Sequence, residues 1–261
     1  MQSPQKTTLN QKSPSGRFRR LSLCIDQGNS STKIGIFEQD KLIEKIICKQ
    51  FTQKEIEPIF EKYAISSCIF SSVADYNGSI ISLLKKRVDF FIEFSHETAI
   101  PIGNRYVTPQ TLGKDRLAGV IGAAFLKPNT NILVIDAGSA ITYDFVDAAG
   151  VYWGGNISPG IDLRLRALHE FTGRLPLIEA KSESPQIGND TSSAILSGVL
   201  YGIVFEIDGY VESLRKEHPG LSVFLTGGST FYFVNKLKSA IFADENLVLI
   251  GLNRILHYNN A

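Results

Sequence analysis

Three cysteines in 261 residues, Cys24, Cys48 and Cys68, form no C-x-x-C pair and follow no regular spacing. An odd, scattered set excludes a disulfide framework and suits a reduced, cytoplasmic setting. Histidine is as sparse. His96, His169, His218 and His257 stand far apart and make no zinc pattern with the cysteines, so no structural transition metal is expected. No run approaches the roughly 18 apolar residues of a membrane span, and no membrane partner is expected. The first twenty residues lack both an acidic residue and an apolar core, which excludes a secretory signal. They carry Lys6, Lys12, Arg17, Arg19 and Arg20. Residues 1–20 therefore read as a basic, disordered leader, with a loose likeness to a transit peptide as the other reading.

Excess positive charge is also missing from the body of the chain. Overall, 27 basic residues face 26 acidic ones, and without the leader the balance is 22 against 26. A body of that charge lacks the basic patch of a dedicated nucleic-acid binder, so no nucleic acid is expected as partner. What is present is ordinary for a globular protein: 43% apolar and 20% charged residues. The length allows two modest domains. Order begins at Leu21, and Lys127-Pro128-Asn129 marks a junction, giving domains at 21–127 and 128–261.

The apolar pattern predicts a strand over 21–26 and two more over 32–49, turning at Glu38-Gln39-Asp40. A helix over 54–63, a strand over 68–73, a helix over 78–87 and a strand over 90–94 follow. A loop broken by Pro and Gly leads to a helix over 115–126. The second half restarts with three strands from Asn131, helices over 161–169 and 192–216, and a strand from Val223 into glycines. It ends with a helix from Phe231 and a strand at Leu-Val-Leu-Ile-Gly (247–251).

The two halves overlay on their first motifs. Ile25, Asp26, Gly28 and Thr32 recur as Ile135, Asp136, Gly138 and Thr142, each 110 residues on. Matched strands around both copies make a structural duplication the better reading of the repeat. A D-x-G that ends a strand is by itself a common turn. Two copies facing across a cleft suggest phosphate chemistry instead. Glycine keeps side chains out of a ligand's path, and the following N–H groups can point at phosphate oxygens. Asn29, Ser30, Ser31 and Ser139 add polar groups, and Lys33 adds charge. The aspartates would repel phosphate but suit a cation that screens it.

Gly113-Lys114-Asp115-Arg116 opens the helix over 115–126. Asp115 is either a first-turn acid favoured by the helix dipole or a general base, with Arg116 and the Gly113 backbone binding an anionic substrate. Gly154-Gly155 through Gly160 is equally an anion site before a helix or a packing turn. Thr226-Gly227-Gly228 is an approach for an adenine ring or a strand-to-helix turn. Tyr152 and Trp153 are expected in the core or at an interface.

The order D-x-G-N-S-x-x-K (26–33), G-x-D-R (113–116) and D-x-G-[ST]-A-x-T (136–142) resembles the type III pantothenate kinase family. The likeness continues through Gly154-Gly155, Ser158-Pro159-Gly160, Leu175-Pro176, Thr191 and Thr226-Gly227-Gly228. It covers residues 21–251. The resemblance implies an α/β fold of duplicated ribonuclease-H-like domains with a central cleft, as in the actin-like ATPase and acetate and sugar kinase superfamily. It implies a homodimer that phosphorylates pantothenate with ATP to 4′-phosphopantothenate, the first step of coenzyme A synthesis. It also implies a divalent metal such as Mg2+ and a monovalent cation, K+ or NH4+.

Carried over by position, Asp26, Gln27, Gly28, Asn29, Ser30, Ser31, Thr32 and Lys33 would form the first ATP phosphate loop, with Asp26 toward Mg2+. Ser139 would contact ATP, and Asp136 would hold the monovalent cation. Asp115 would accept the proton of the pantothenate hydroxyl. Tyr106, Gly113, Lys114, Asp115, Arg116 and Thr191 would bind pantothenate. Ser139 stands where the family usually has Thr, keeping the hydroxyl; Lys114 fills a variable position; and the leader is long for the family. Two other readings are a non-enzymatic transcriptional accessory relative of the same fold and another phosphotransferase of the superfamily.

Overall fold

The computed structural model describes residues 21–261; the leader reading for 1–20 lies outside the described residues. Strand β1 (Leu21–Gln27) pairs antiparallel with β2 (Thr32–Glu38), and β2 with β3 (Lys41–Cys48). Helix α1 (Gln53–Lys62) leads to β4 (Ile65–Ser72), parallel to β1, and α2 (Gly78–Arg87) leads to β5 (Phe90–Glu93), parallel to β4. The sheet order is β3-β2-β1-β4-β5.

The second half repeats this layout. After β6 (Gly103–Asn104) and α3 (Lys114–Leu126), strands β7 (Ile132–Ala137), β8 (Ala140–Val146) and β9 (Val151–Pro159) run antiparallel. Helices α4 (Ile161–Glu170) and α5 (Thr191–Glu217) lead to β10 (Ser222–Thr226), parallel to β7. Helix α6 (Thr230–Phe233) leads to β11 (Phe242–Ala243), parallel to β10. Read from β9 the order is β9-β8-β7-β10-β11, the same as in the first sheet, with β6 added outside β9. The 110-residue repeat is thus one copy of a whole five-stranded sheet.

Both sheets are covered on both faces, so β1 and β7 read as continuous apolar runs. One core lies between the first sheet and α1 and α2, and another between the second sheet and α4, α5 and α6. The third lies between the sheets and is filled by α3 and α7 (Leu247–Asn259). These two helices are exchanged. α3, from the first half, packs on β7 and β8, whereas α7, from the second, packs on β1, β2 and β4. They cross in backbone contact: a Cβ on Gly122 would lie 2.2 Å from the Leu247 carbonyl oxygen, and one on Gly251 1.8 Å from that of Ala118. Only glycine fits at such a crossing.

Residues 247–251, expected as a strand, form the start of α7. This helix is buried nearly all round, so Leu-Val-Leu-Ile shows no polar face to reveal a helical period. A second difference concerns α5. Its 27 residues include a window of mean hydropathy 1.5, long and apolar enough to cross a membrane by length and composition, because Gly, Ser and Tyr break the apolar run without lowering hydropathy far. Its Ile195, Val199, Ile203, Ile207 and Val211 stripe, however, is buried in the core on the second sheet.

Candidate active site

The carboxyl ends of β1 and β7 meet at a cleft of about 350 Å3. The two D-x-G turns face each other there, with Ser30 Oγ and Ser139 Oγ 3.4 Å apart. Each turn is closed by its glycine: the Gly28 N–H donates to Ser31 O (3.0 Å), and the Gly138 N–H to Ala140 O (3.1 Å). Asp26, Gly28, Asn29, Ser30, Ser31 and Lys33 line one side, and Asp136, Ser139 and Thr142 the other. Asp115 and Arg116 join them from the first turn of α3. Gln27, Thr32, Tyr106, Gly113, Lys114 and Thr191 do not line this cleft. Thr32 is buried in β2, and Thr191 opens α5 on the surface. Of the aromatic pair, Tyr152 is enclosed, whereas Trp153 is 57% exposed, its Nε1 donating to Asp147.

Four carboxylates line the cleft, those of Asp26, Asp115, Asp136 and Asp162. Burial and then repulsion from Asp115 push Asp26 up to about 7, with Lys33 opposing and Asp136 adding to the rise. Burial likewise raises Asp136 to about 6; Lys33 pulls it down while Asp115 and Asp144 push it up. Such a site holds excess negative charge that a cation would relieve.

Helix starts at the cleft differ from those elsewhere. α1, α2 and α5 are capped by the side chains of Thr52, Asn77 and Asp190. α3, α4, α6 and α7 have no side-chain cap, and each contributes a first-turn or N-cap residue to the lining. No N-cap side chain closes these four helix starts, although the Arg116 N–H on α3 donates to Asp115 Oδ1 and the Thr230 N–H on α6 to Gly227 O. The cleft also contains Asp162, which the motif reading missed. Gly160-Ile161-Asp162 repeats the Gly113-Lys114-Asp115 layout at a helix start, a signal that could have found it. Gly227, at φ +97°, lies against Asp136; a Cβ there would be 2.4 Å from Asp136 Oδ1.

Arg116 is mostly buried. Its Nε donates to Asp144 Oδ1 (3.0 Å) and Oδ2 (3.1 Å), and its Nη2 to Oδ1 (2.6 Å). Tyr152 Oη donates to the same Asp144 Oδ1 at 2.7 Å. Behind α4, Glu206 accepts from Tyr143, Ser158 and Arg164, and Arg164 Nε also donates to Pro159 O. That set fixes the Ser158-Pro159-Gly160 turn against Ser139, whose carbonyl accepts from the Gly160 N–H at 3.1 Å.

The family model for type III pantothenate kinase matches residues 22–213. A type III pantothenate kinase of Phocaeicola vulgatus is 48% identical over 240 residues, covering 92% of this chain and 99% of that relative. The chain belongs to the type III pantothenate kinase family. A Bacteroides fragilis member is 46% identical over 241 residues, covering 92% of this chain and 99% of its own. Among solved structures, a candidate Baf family transcriptional activator from Campylobacter jejuni aligns with a TM-score of 0.58 at 24% identity, over 91% of this chain and 98% of that one. A candidate 2-dehydro-3-deoxygalactonokinase from Sinorhizobium meliloti aligns at 0.54 and 14% identity, over 91% of this chain and 99% of that one. At these identities they show the fold alone, the α/β architecture of two matching sheets described above.

A kinase family implies ATP and a divalent metal, and the residues fit one. Thr142 and Thr226 flank Asp136 in register on β8 and β10, and both hydroxyl oxygens are buried without a partner. Ser71, the register neighbour of Asp26 on β4, has an orphaned hydroxyl too. Among the described residues no three His, Cys, Asp or Glu side chains lie close enough to enclose a metal alone. These carboxylate and hydroxyl oxygens suit a hard cation, which takes oxygen donors.

Proposed function

We propose that this protein transfers the γ-phosphoryl group of ATP to the primary hydroxyl of pantothenate, forming 4′-phosphopantothenate, the first step of coenzyme A synthesis. The observation that carries the reading is the convergence of Asp26, Asp115 and Asp136 around two facing D-x-G turns in a member of this family.

Asp115 takes the proton of the attacking hydroxyl. Its Oδ1 accepts from the Arg116 N–H at 2.8 Å, which fixes the carboxylate at the helix start. A Cβ at position 113 would lie 2.7 Å from that oxygen, so glycine makes room for it. The turn 26–33 and Ser139 cradle the triphosphate through N–H and hydroxyl groups, and Lys33 balances its charge. Asp26 would hold Mg2+, which would supply positive charge against the phosphates. Asp136, with the Thr142 and Thr226 hydroxyls, would hold K+ or NH4+. Tyr106, Gly113, Lys114 and Arg116 bind pantothenate. The protein acts as a homodimer, and Thr191, exposed at the start of α5 outside this cleft, would reach pantothenate. Three free thiols support a reduced, cytoplasmic setting.

The test is a coupled assay with pantothenate, ATP and Mg2+, run in potassium and then in sodium alone. Turnover that depends on potassium is expected. No turnover in either salt, from folded dimer, would overturn the reading and favour a non-enzymatic accessory role.

A further inference from the structure

Two residues of the acceptor site, Tyr106 and Arg116, are held by a pair outside every phosphate motif. Asp144, on β8, is 1% exposed, and Tyr152, on β9, is fully enclosed. Asp144 covers the Nε and Nη2 edge of Arg116 and accepts from Tyr152. The Tyr152 ring lies nearly parallel to Tyr106, at 6.1 Å and 16°, and the Arg116 guanidinium stands 5.8 Å from the Tyr106 ring centre. Gly154, at φ +110°, leaves the space that Tyr106 fills; a Cβ there would lie 3.2 Å from its ring. One continuous set therefore runs from Asp115 through Arg116 and Asp144 to Tyr152 and Tyr106.

A buried ion pair adds little net stability over well-packed apolar residues, so stability alone does not explain this arrangement. Geometry does. A planar guanidinium gripped along one edge loses its freedom to turn, and the Nη1 end, outside the Asp144 pair, keeps a fixed direction. Asp144 also competes for Arg116 with the carboxylates of the cleft. Without it, the guanidinium is free to turn toward the carboxylates that line the cleft with it, Asp115 among them, and a base paired to arginine is withdrawn from the acceptor hydroxyl.

We infer that Asp144 and Tyr152 are positioning residues for the acceptor: they hold Arg116 and Tyr106 in binding orientation and keep the guanidinium off Asp115. The inference rests on the pantothenate kinase reading above.

The experiment compares Asp144→Asn, Tyr152→Phe, Arg116→Lys and the Asp144→Asn/Arg116→Lys double variant with the parent. It measures KM for pantothenate and for ATP separately, kcat, and pantothenate binding by calorimetry without ATP. Asp144→Asn should raise the pantothenate KM roughly 10–100-fold, and Tyr152→Phe roughly 3–10-fold, with the ATP KM nearly unmoved. The double variant should be no worse than the poorer single variant, because both act on one interaction. An unchanged pantothenate KM in Asp144→Asn overturns the inference, as does an equal rise in both KM values with a lowered melting temperature. If Asp144→Asn does not fold, Tyr152→Phe decides on the same criteria. Failure of the kinase reading shows in the parent, which would neither turn over nor bind pantothenate, and the inference falls with it. Failure of the inference alone leaves the parent active and the variants unaltered.

Discussion

Replacing Gly251 with alanine sets two effects of opposite sign against each other. In a helix interior alanine is favoured over glycine by about 1 kcal/mol, so propensity alone stabilises the variant. The new methyl, however, would lie 1.8 Å from Ala118 O and 2.6 Å from Ala118 C. To reach even a 3.0 Å contact, α3 and α7 must separate by more than about 1 Å where both are buried in the central core. Overpacking of this kind costs roughly 1–3 kcal/mol and here involves backbone, which cannot turn aside. The net expectation is a destabilisation of up to about 2 kcal/mol, read as a lower urea midpoint with unchanged slope. Gly198→Ala and Gly209→Ala on α5 are the controls, since a Cβ at either meets nothing within 4 Å. They should gain up to about 1 kcal/mol. Because α3 carries Asp115 at its start, Gly251→Ala should also lower kcat. A Gly251→Ala midpoint at or above the parent's would refute the steric argument.

Asp115→Asn should keep ATP binding and lower turnover roughly 10²–10⁴-fold, the usual worth of a general base; parental turnover would remove Asp115 from that role. Asp136→Asn should flatten the potassium titration, and an unaltered titration would reject the cation site. The ligand-free protein offers a pH test. Asp26, raised from 3.8 to about 7, keeps a proton in the fold that the unfolded chain has lost, so its contribution to stability falls as pH rises through that window. The unfolding free-energy gap between Asp26→Asn and the parent, read from urea melts, should widen in the variant's favour by roughly 2–3 kcal/mol from pH 5 to pH 8. A gap independent of pH would show that Asp26 is ionised throughout.

The duplicated sheets were legible because Asp26 and Asp136 head matching strand-turn-strand patterns, and two-sided burial wrote those strands as apolar runs. The cleft-lining residues of the two turns were legible for the same reason, since a turn motif keeps its residues within a few positions of one another. α7 was not. Its buried surface hides the helical period, and Leu-Val-Leu-Ile reads as strand to any local rule. β11, two residues long, leaves almost no pattern. Asp144 was missed for a different reason. Its partner is 28 residues away on another element, and nothing around it in sequence distinguishes it from other strand acids.

The exchange of α3 and α7 bears on how the chain is made. A polypeptide leaves the ribosome from its N-terminus, and domains generally fold as they emerge. Here the first sheet is complete by Glu93, but one of its faces is roofed by residues 247–259, which are translated long after it. Until they arrive, Cys24, Phe37 and Ile69 stay uncovered on that face, and α3 has no second sheet to lie on until β7 and β8 are synthesised. Nascent chains short of residue 247 should therefore be protease-sensitive, with protection of both halves arriving together once α7 has emerged.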